Sequence, residues 1–208
     1  MILSDKEIRI YIQNTTTPMI EPFLEDHLQA ASYDVSMSGN ISVLRRIEQV
    51  VDPSEKRNLD DMYEEIRIGQ DGYLFYPGEY LLAELAEKVN VPEKLIAHIR
   101  PRTRFTRAGI LIADQHCNPT YEGQLYIGLR NVGPNTILLR PGLKIAQFVF
   151  EELSSVPTEA LWYKNKKNAA YQQESSSKGF RGAKFGEAGW TEEGKKFFND
   201  LLTASNDD

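Results

Sequence analysis

Between residues 73 and 153 no apolar run travels far before meeting a proline or a glycine. The stretch YLFYPGEYLLAEL (73–85) sets a Pro-Gly turn between two apolar runs. EKVNVPEKLIAHI (87–99) is broken at Pro92, and AGILIA, QLYIGL and TILLRPGLKIAQFVFEEL follow at short spacing. Gly133-Pro134-Asn135 and Pro141-Gly142 are further turns. The pattern therefore predicts many short strands closed into an all-β barrel or sandwich, with few helices.

The N-terminal part fits the same scheme. Ser4 and Glu7 have capping-box spacing ahead of Ile8, Tyr11 and Ile12, which predicts a short helix over residues 4–13. Residues 14–29 are loop-like around Pro18 and Pro22, and ASYDVSMSGNISVL reads as two short strands about a Ser-Gly-Asn turn. The charged residues 45–68 read as an exposed excursion between strands. After residue 153 the character changes. Lys164, Lys166, Lys167, Lys178, Arg181 and Lys184 stand in a Ser/Gly-containing segment that reads as a mobile basic arm, residues 154–190. Residues 191–202 read as a short amphipathic helix, with Thr191 as cap and Phe197, Phe198, Leu201 and Leu202 on one face.

Composition narrows the function classes. The 208 residues are 41% hydrophobic and 26% charged, enough for a core, and carry a net charge of −6. That charge argues against a general nucleic-acid binder. A single cysteine can form no internal disulfide, and neither a membrane-length apolar run nor a secretory signal is visible, so a cytoplasmic protein is expected.

Three features carry candidate chemistry. His116-Cys117 suggests a metal or a nucleophile, but adjacent strand residues point to opposite faces and make poor co-ligands. A structural role is the favoured reading, with a Cys nucleophile as the minority one. Arg100, Arg102, Arg104 and Arg107, with Thr103 and Thr106, supply guanidinium forks and hydroxyls that match phosphate oxygens. If that segment stays extended, residues 100, 102 and 104 share a side; the competing reading is a solvated charged loop. The run SSSKGFRGAKFG in the arm offers amides, hydroxyls and cations for a phosphate, or else a disordered tail.

Taken in order, the motifs resemble the dCTP deaminase/dUTPase superfamily, on the dCTP deaminase side. MILSDKEI is similar to that family's opening. QAASYDVSM (29–37) resembles its Q-G-A-S-Y-D-V-R-L segment, and YPGEYLLAELAEKVNVPEKLIAHIRPRTRFTRAGI resembles its P-G-E strand followed by R-S-S-x-A-R-x-G. NPTYEGQLYIGLRNVG resembles D-P-G-[WF]-x-G-x-x-x-L-E-x-x-N, and LLRPGLKIAQFVFEEL resembles the segment containing R-I-[AC]-Q-L. The match runs over residues 1–153.

The resemblance implies a distorted β-barrel of the dUTPase-like type, built as a homotrimer with active sites between subunits. It implies a pyrimidine deoxynucleotide as partner, its triphosphate carrying Mg²⁺; charge and the lack of a membrane-length run already lead to the expectation of no nucleic acid and no membrane as partners. By position it places Arg102 and Thr103 on phosphates, Arg107 at the reaction centre and Gln147 on the motif glutamine. It makes Asp34 mainly architectural, and puts a pyrimidine against the turn containing Tyr121. The arm, with Tyr171, Lys178 and Arg181, would close over the triphosphate.

The departures fall on the chemistry. Gly128 stands where the deaminase has its essential glutamate, and Asn118 where the dUTPase has its water-activating aspartate. Glycine cannot move a proton, and asparagine can orient water but not deprotonate it. Arg104 replaces the second serine, adding bulk and charge. Glu122 and Asp114 are the nearby acids that remain. Three functions follow: dCTP deamination or dUTP hydrolysis; a catalytically impaired nucleotide sensor, sequestering protein or regulator; or an enzyme with a changed substrate, with Gly128 making room for a larger group.

Overall fold

A computed structural model of the chain describes residues 1–13, 17–48, 50–51, 62–166, 169 and 171–173. In chain order the elements are α1 (Asp5–Gln13), β1 (Ile20–Glu21), β2 (Leu28–Gln29), β3 (Ser32–Leu44), β4 (Tyr63–Arg67), β5 (Tyr73–Phe75), β6 (Tyr80–Asn90) and β7 (Leu95–Pro101). Then come α2 (Thr103–Arg107), β8 (Ile110–Ile112), β9 (Gln115–Cys117), β10 (Glu122–Asn131), β11 (Ile137–Leu139) and β12 (Lys144–Glu152). Single 3-10 turns occupy Glu25–His27, Glu159–Leu161 and Tyr163–Asn165.

The strands form one curled half-barrel in the order β8-β10-β6-β3-β12-β7-β9, with β1 on β6 and both β2 and β4 on β3. β5 and β11 make a separate two-stranded ribbon. β3 is the hinge of the architecture. Its first residues, Tyr33–Ser36, pair with β12, while Met37 to Val43 pair with β6. Register shifts at Lys144/Ala146 and Met37/Ile41 let the strand bend from one limb into the other. Gly39, at φ 137°, lies inside that bend, where an L side chain would be strained.

Strand alternation builds the core. Tyr33, Val35, Ile41 and Val43 of β3 meet Leu81, Ala83 and Leu85 of β6, Ile127 and Leu129 of β10, and Phe148 and Phe150 of β12, all essentially fully buried. Each large side chain contributes about 1.5–3 kcal/mol on burial. α1 packs Ile8 into this core, with Tyr11 and Ile12 partly buried beside it. The Ser4 amide donates to Glu7 Oε2 at 2.6 Å and the Ser4 hydroxyl donates to the same oxygen at 2.7 Å, closing the expected cap.

Three expectations are corrected. The segment read as two short strands about a Ser-Gly-Asn turn is the single strand β3, bent at Gly39 rather than broken there. Residues 63–67 are not a pure excursion: they form β4, paired from Tyr63↔Leu44 to Arg67↔Asn40. The arginine segment does not stay extended. Pro101 ends β7 because it has no N–H to continue the ladder, and Thr103–Arg107 turn into a one-turn helix, which leaves Arg100 on β7, Arg102 between the elements and Arg104 and Arg107 on α2. The expected helix at 191–202 lies outside the described residues. No helix among the described residues is long and apolar enough to cross a membrane.

Candidate functional site

Asp34 and Gln147 are directly opposite on β3 and β12, and Gln147 is also paired with Arg100 on β7. Arg102 follows β7 and returns over this junction. Its Nη1 donates to Asp34 Oδ2 at 2.8 Å, with the Asp34 side chain only 4% exposed and that of Arg102 31% exposed. Gln29 Nε2 donates to the same carboxylate oxygen at 3.3 Å, and Ser32 Oγ donates to Gln147 Oε1 at 3.0 Å. A buried carboxylate thus aims a guanidinium whose far side still reaches the surface.

Below that pair the polar chain continues. His27 Nδ1 lies 3.0 Å from the Asp34 carbonyl and 3.4 Å from Glu87 Oε1, and Glu87 also accepts from the Ser36 amide and hydroxyl at 2.9 and 2.8 Å. Thr103, Arg104 and Arg107 are exposed on α2, with the Arg104 guanidinium 5.8 Å from the Phe105 ring centre. Asp114, one of the two candidate acids, is ion-paired with Arg100 at 2.8 Å.

The second group lies on the other limb. Asn118 begins a turn in which the Tyr121 amide donates to the Asn118 carbonyl at 3.1 Å. Thr120, at φ 66°, donates its amide to Val91, and Val91 donates back to Tyr121. Tyr121 is buried, its ring 5.6 Å from that of Tyr163. The chain after residue 158 crosses this turn. The Tyr163 amide donates to Pro119, Gln172 Nε2 donates to the Thr120 carbonyl at 3.2 Å, and the Gln173 amide donates to the Glu122 carbonyl at 2.7 Å. The Tyr171 amide donates to the Tyr163 hydroxyl at 3.3 Å. Tyr171 is therefore beside the turn; Lys178 and Arg181 lie outside the described residues. Glu122, the other candidate acid, lies 4.0 Å from Lys88.

Gly128 is the position the structure revises. A Cβ placed there would overlap the Tyr80 hydroxyl and come within 3.0 Å of Cζ and 3.2 Å of Cε2. Tyr80 reaches it from β6, where it is paired with Arg130, two residues along β10 on the same face. The expected enlargement of the pocket at Gly128 is therefore absent: a neighbouring phenol fills the space. Gly128 is a glycine for room, since its backbone needs no left-handed conformation.

The same face is rich in phenols. Tyr63 is pushed up to about 12, first by burial and then by Tyr80 and Tyr171, and burial also raises Tyr80. Glu84, facing Tyr126, is buried and accepts from Tyr126 Oη at 2.7 Å, Ser38 Oγ at 2.5 Å and Asn40 Nδ2 at 2.7 Å. Tyr80 follows directly on the P-G-E of the quoted segment YPGEYLLAEL, but nothing in that segment links it to Gly128 until the strands are paired.

His116 and Cys117 point apart, as strand geometry demands. Cys117 is buried and its thiol is pushed up to about 12 by that burial, which leaves no thiolate for nucleophilic work. His116 is exposed and stands across from His98, their ring centres 5.0 Å apart.

Comparison with known proteins agrees with the motif order. A family model described as dCTP deaminase-like matches residues 2–153. A protein from Natronomonas pharaonis named dCTP deaminase is 30% identical over 162 residues, which is 74% of this chain and 82% of the relative. A Methanobrevibacter smithii protein named dCTP deaminase, dUMP-forming, is 27% identical over 178 residues, 83% and 91% of the two chains. The crystal structure of 2'-deoxycytidine 5'-triphosphate deaminase from Agrobacterium tumefaciens superposes with a TM-score of 0.59 at 20% identity, covering 73% of this chain. This chain spans about half, 48%, of that protein's length, and at that identity the likeness concerns the fold. The chain belongs to the dCTP deaminase-like family.

Proposed function

We propose that the protein binds a pyrimidine deoxynucleoside triphosphate and does not deaminate it by the family's glutamate route. The observation that carries this reading is the Asp34–Arg102 pair beside Gln147: a cation is held in place at the surface by a buried counter-charge, while the position that would supply a general base is glycine under a phenol. Arg102, with Thr103, Arg104 and Arg107 on α2, supplies donors and positive charge for the triphosphate. The turn from Asn118, with Tyr121, shapes the base end, and Tyr171 lies beside that turn; Lys178 and Arg181 are proposed to add positive charge for the triphosphate.

Among the described residues no three His, Cys, Asp or Glu side chains are grouped to hold a metal ion. In this reading Mg²⁺ arrives on the triphosphate oxygens, and the chain contributes cationic side chains rather than metal ligands. Arg102 and Gly128 stand on different limbs of one sheet, so a neighbouring copy in a homotrimer is proposed to bring the phosphate group of one chain to the base group of the next.

Losing a positioned general base costs about 10²–10⁴-fold in rate. The name dCTP deaminase carried by relatives makes deamination the activity to test first. Purified protein is incubated with dCTP or dUTP and Mg²⁺, ammonia and pyrophosphate are followed, and the thermal shift with each nucleotide is recorded. The expected result is a shift without turnover at ordinary enzymatic rates. Rapid ammonia release overturns the reading; absence of any shift removes the phosphate role of Arg102.

A further inference from the structure

We propose that the Tyr80 hydroxyl reads the base in this site and selects a 4-oxo pyrimidine (uracil or thymine) over the 4-amino pyrimidine cytosine. The inference rests on the preceding reading, in which the base end is shaped by the turn from Asn118 and the strand β10 that carries Gly128.

The group that faces a ligand at position 128 belongs to another strand. The Tyr80 oxygen stands where the side chain of residue 128 would begin, so nothing larger than glycine fits there while the phenol stays. The chemistry of the position is that of a phenol. An ionised carboxylate only accepts hydrogen bonds, and therefore suits an amino group on the ligand. A neutral phenol donates, and therefore suits a carbonyl.

A phenol can also accept from an amino group, but its own proton then needs an acceptor elsewhere. Among the described residues none takes it. Glu84, four residues along β6, is already filled by Ser38, Asn40 and Tyr126. Binding cytosine would leave a donor unpaired in a half-buried place, which by the usual cost of an unsatisfied group corresponds to about tenfold in affinity. Burial also keeps the phenol protonated through the neutral range, so the donor is constant.

The test uses isothermal titration calorimetry with the α,β-imido analogues of dUTP, dTTP and dCTP, which resist hydrolysis, on the full chain with Mg²⁺. Wild type is expected to bind the two 4-oxo nucleotides about tenfold more tightly than the dCTP analogue. Tyr80→Phe, which keeps the ring over Gly128 and removes only the hydroxyl, is expected to bring that ratio close to one while melting within a few degrees of wild type. Equal binding by wild type, a preference for dCTP, or an unchanged ratio in Tyr80→Phe overturns the role of Tyr80 and leaves nucleotide binding standing. No binding of any of the three overturns the nucleotide reading and this inference with it. If Tyr80→Phe fails to fold, the order of the three wild-type affinities alone decides the selectivity.

Discussion

The two limbs that meet at β3 are built from different chemistry. On the β3–β12–β7 limb the polar groups that resemble the family's are paired with each other: Arg102 with Asp34, Ser32 with Gln147. On the β6–β10–β8 limb the expected carboxylates are gone, and phenols and amides take their place: Tyr80 over Gly128, Asn118 at the turn, Tyr126 on Glu84. On the first limb, removing Arg102 strands the buried Asp34 carboxylate. On the second, the buried Glu84 carboxylate is filled by neutral donors, and Tyr80 and Gly128 share one space. In the proposed reading the first limb holds a triphosphate and the second changes what happens at the base.

The contrast breaks most visibly at Arg102. Arg102→Ala leaves the Asp34 carboxylate buried with Gln29 alone, and should cost about 3 kcal/mol in urea denaturation. A loss below about 1 kcal/mol would mean that the charge pair does not anchor this limb. The second limb should respond to volume. Gly128→Glu alone forces Tyr80 from its place and should cost about 1–3 kcal/mol. Adding Tyr80→Leu should recover most of that, a coupling readable in a double-mutant cycle. Strict additivity would show that the two residues do not share the space.

Much of the architecture was legible in the sequence, for local reasons. Pro92, Pro141-Gly142 and their like end strands wherever they occur, and Ser4 with Glu7 caps a helix within one turn. Asp34 and Arg102 were legible as motif members but not as partners, because 68 residues separate them and only β3–β12–β7 pairing joins them. The helical turn at Thr103–Arg107 was not legible, since five residues are too few for helical periodicity to register. Tyr80 was missed because its role depends on the register of β6 against β10: the substitution at Gly128 was visible, its filling from the next strand was not. The return of residues 163–173 over the turn at Asn118 likewise depends on tertiary hydrogen bonds rather than on any local pattern.

Smaller effects sharpen the same contrast. Ser32→Ala removes the donor to Gln147 and should cost about 1 kcal/mol. The smallest is a pH effect. The His116 imidazole, though its residue is exposed, is held below its ordinary 6.5, by partial desolvation of the ring and then by His98. The unfolded chain therefore binds that proton more readily, so the contribution is present above pH 6.5 and is lost as pH falls through the lower folded value. Melting temperature followed from pH 8 to pH 5 should decline less steeply in His116→Gln than in wild type. The phenols of the other limb, with Tyr63 near 12, stay protonated throughout that range.

The central claim is that the site holds a pyrimidine nucleotide without the family's proton-transfer chemistry. Saturation-transfer proton NMR of dCTP and dUTP with the protein and Mg²⁺ tests it directly, because the base H5 and H6 resonances report contact and conversion together. The expected spectrum shows transfer from protein to these protons, stronger for dUTP, with the cytosine H5 signal unchanged over hours at equimolar protein. Conversion of cytosine to uracil resonances within minutes, or no transfer to either nucleotide, contradicts the account.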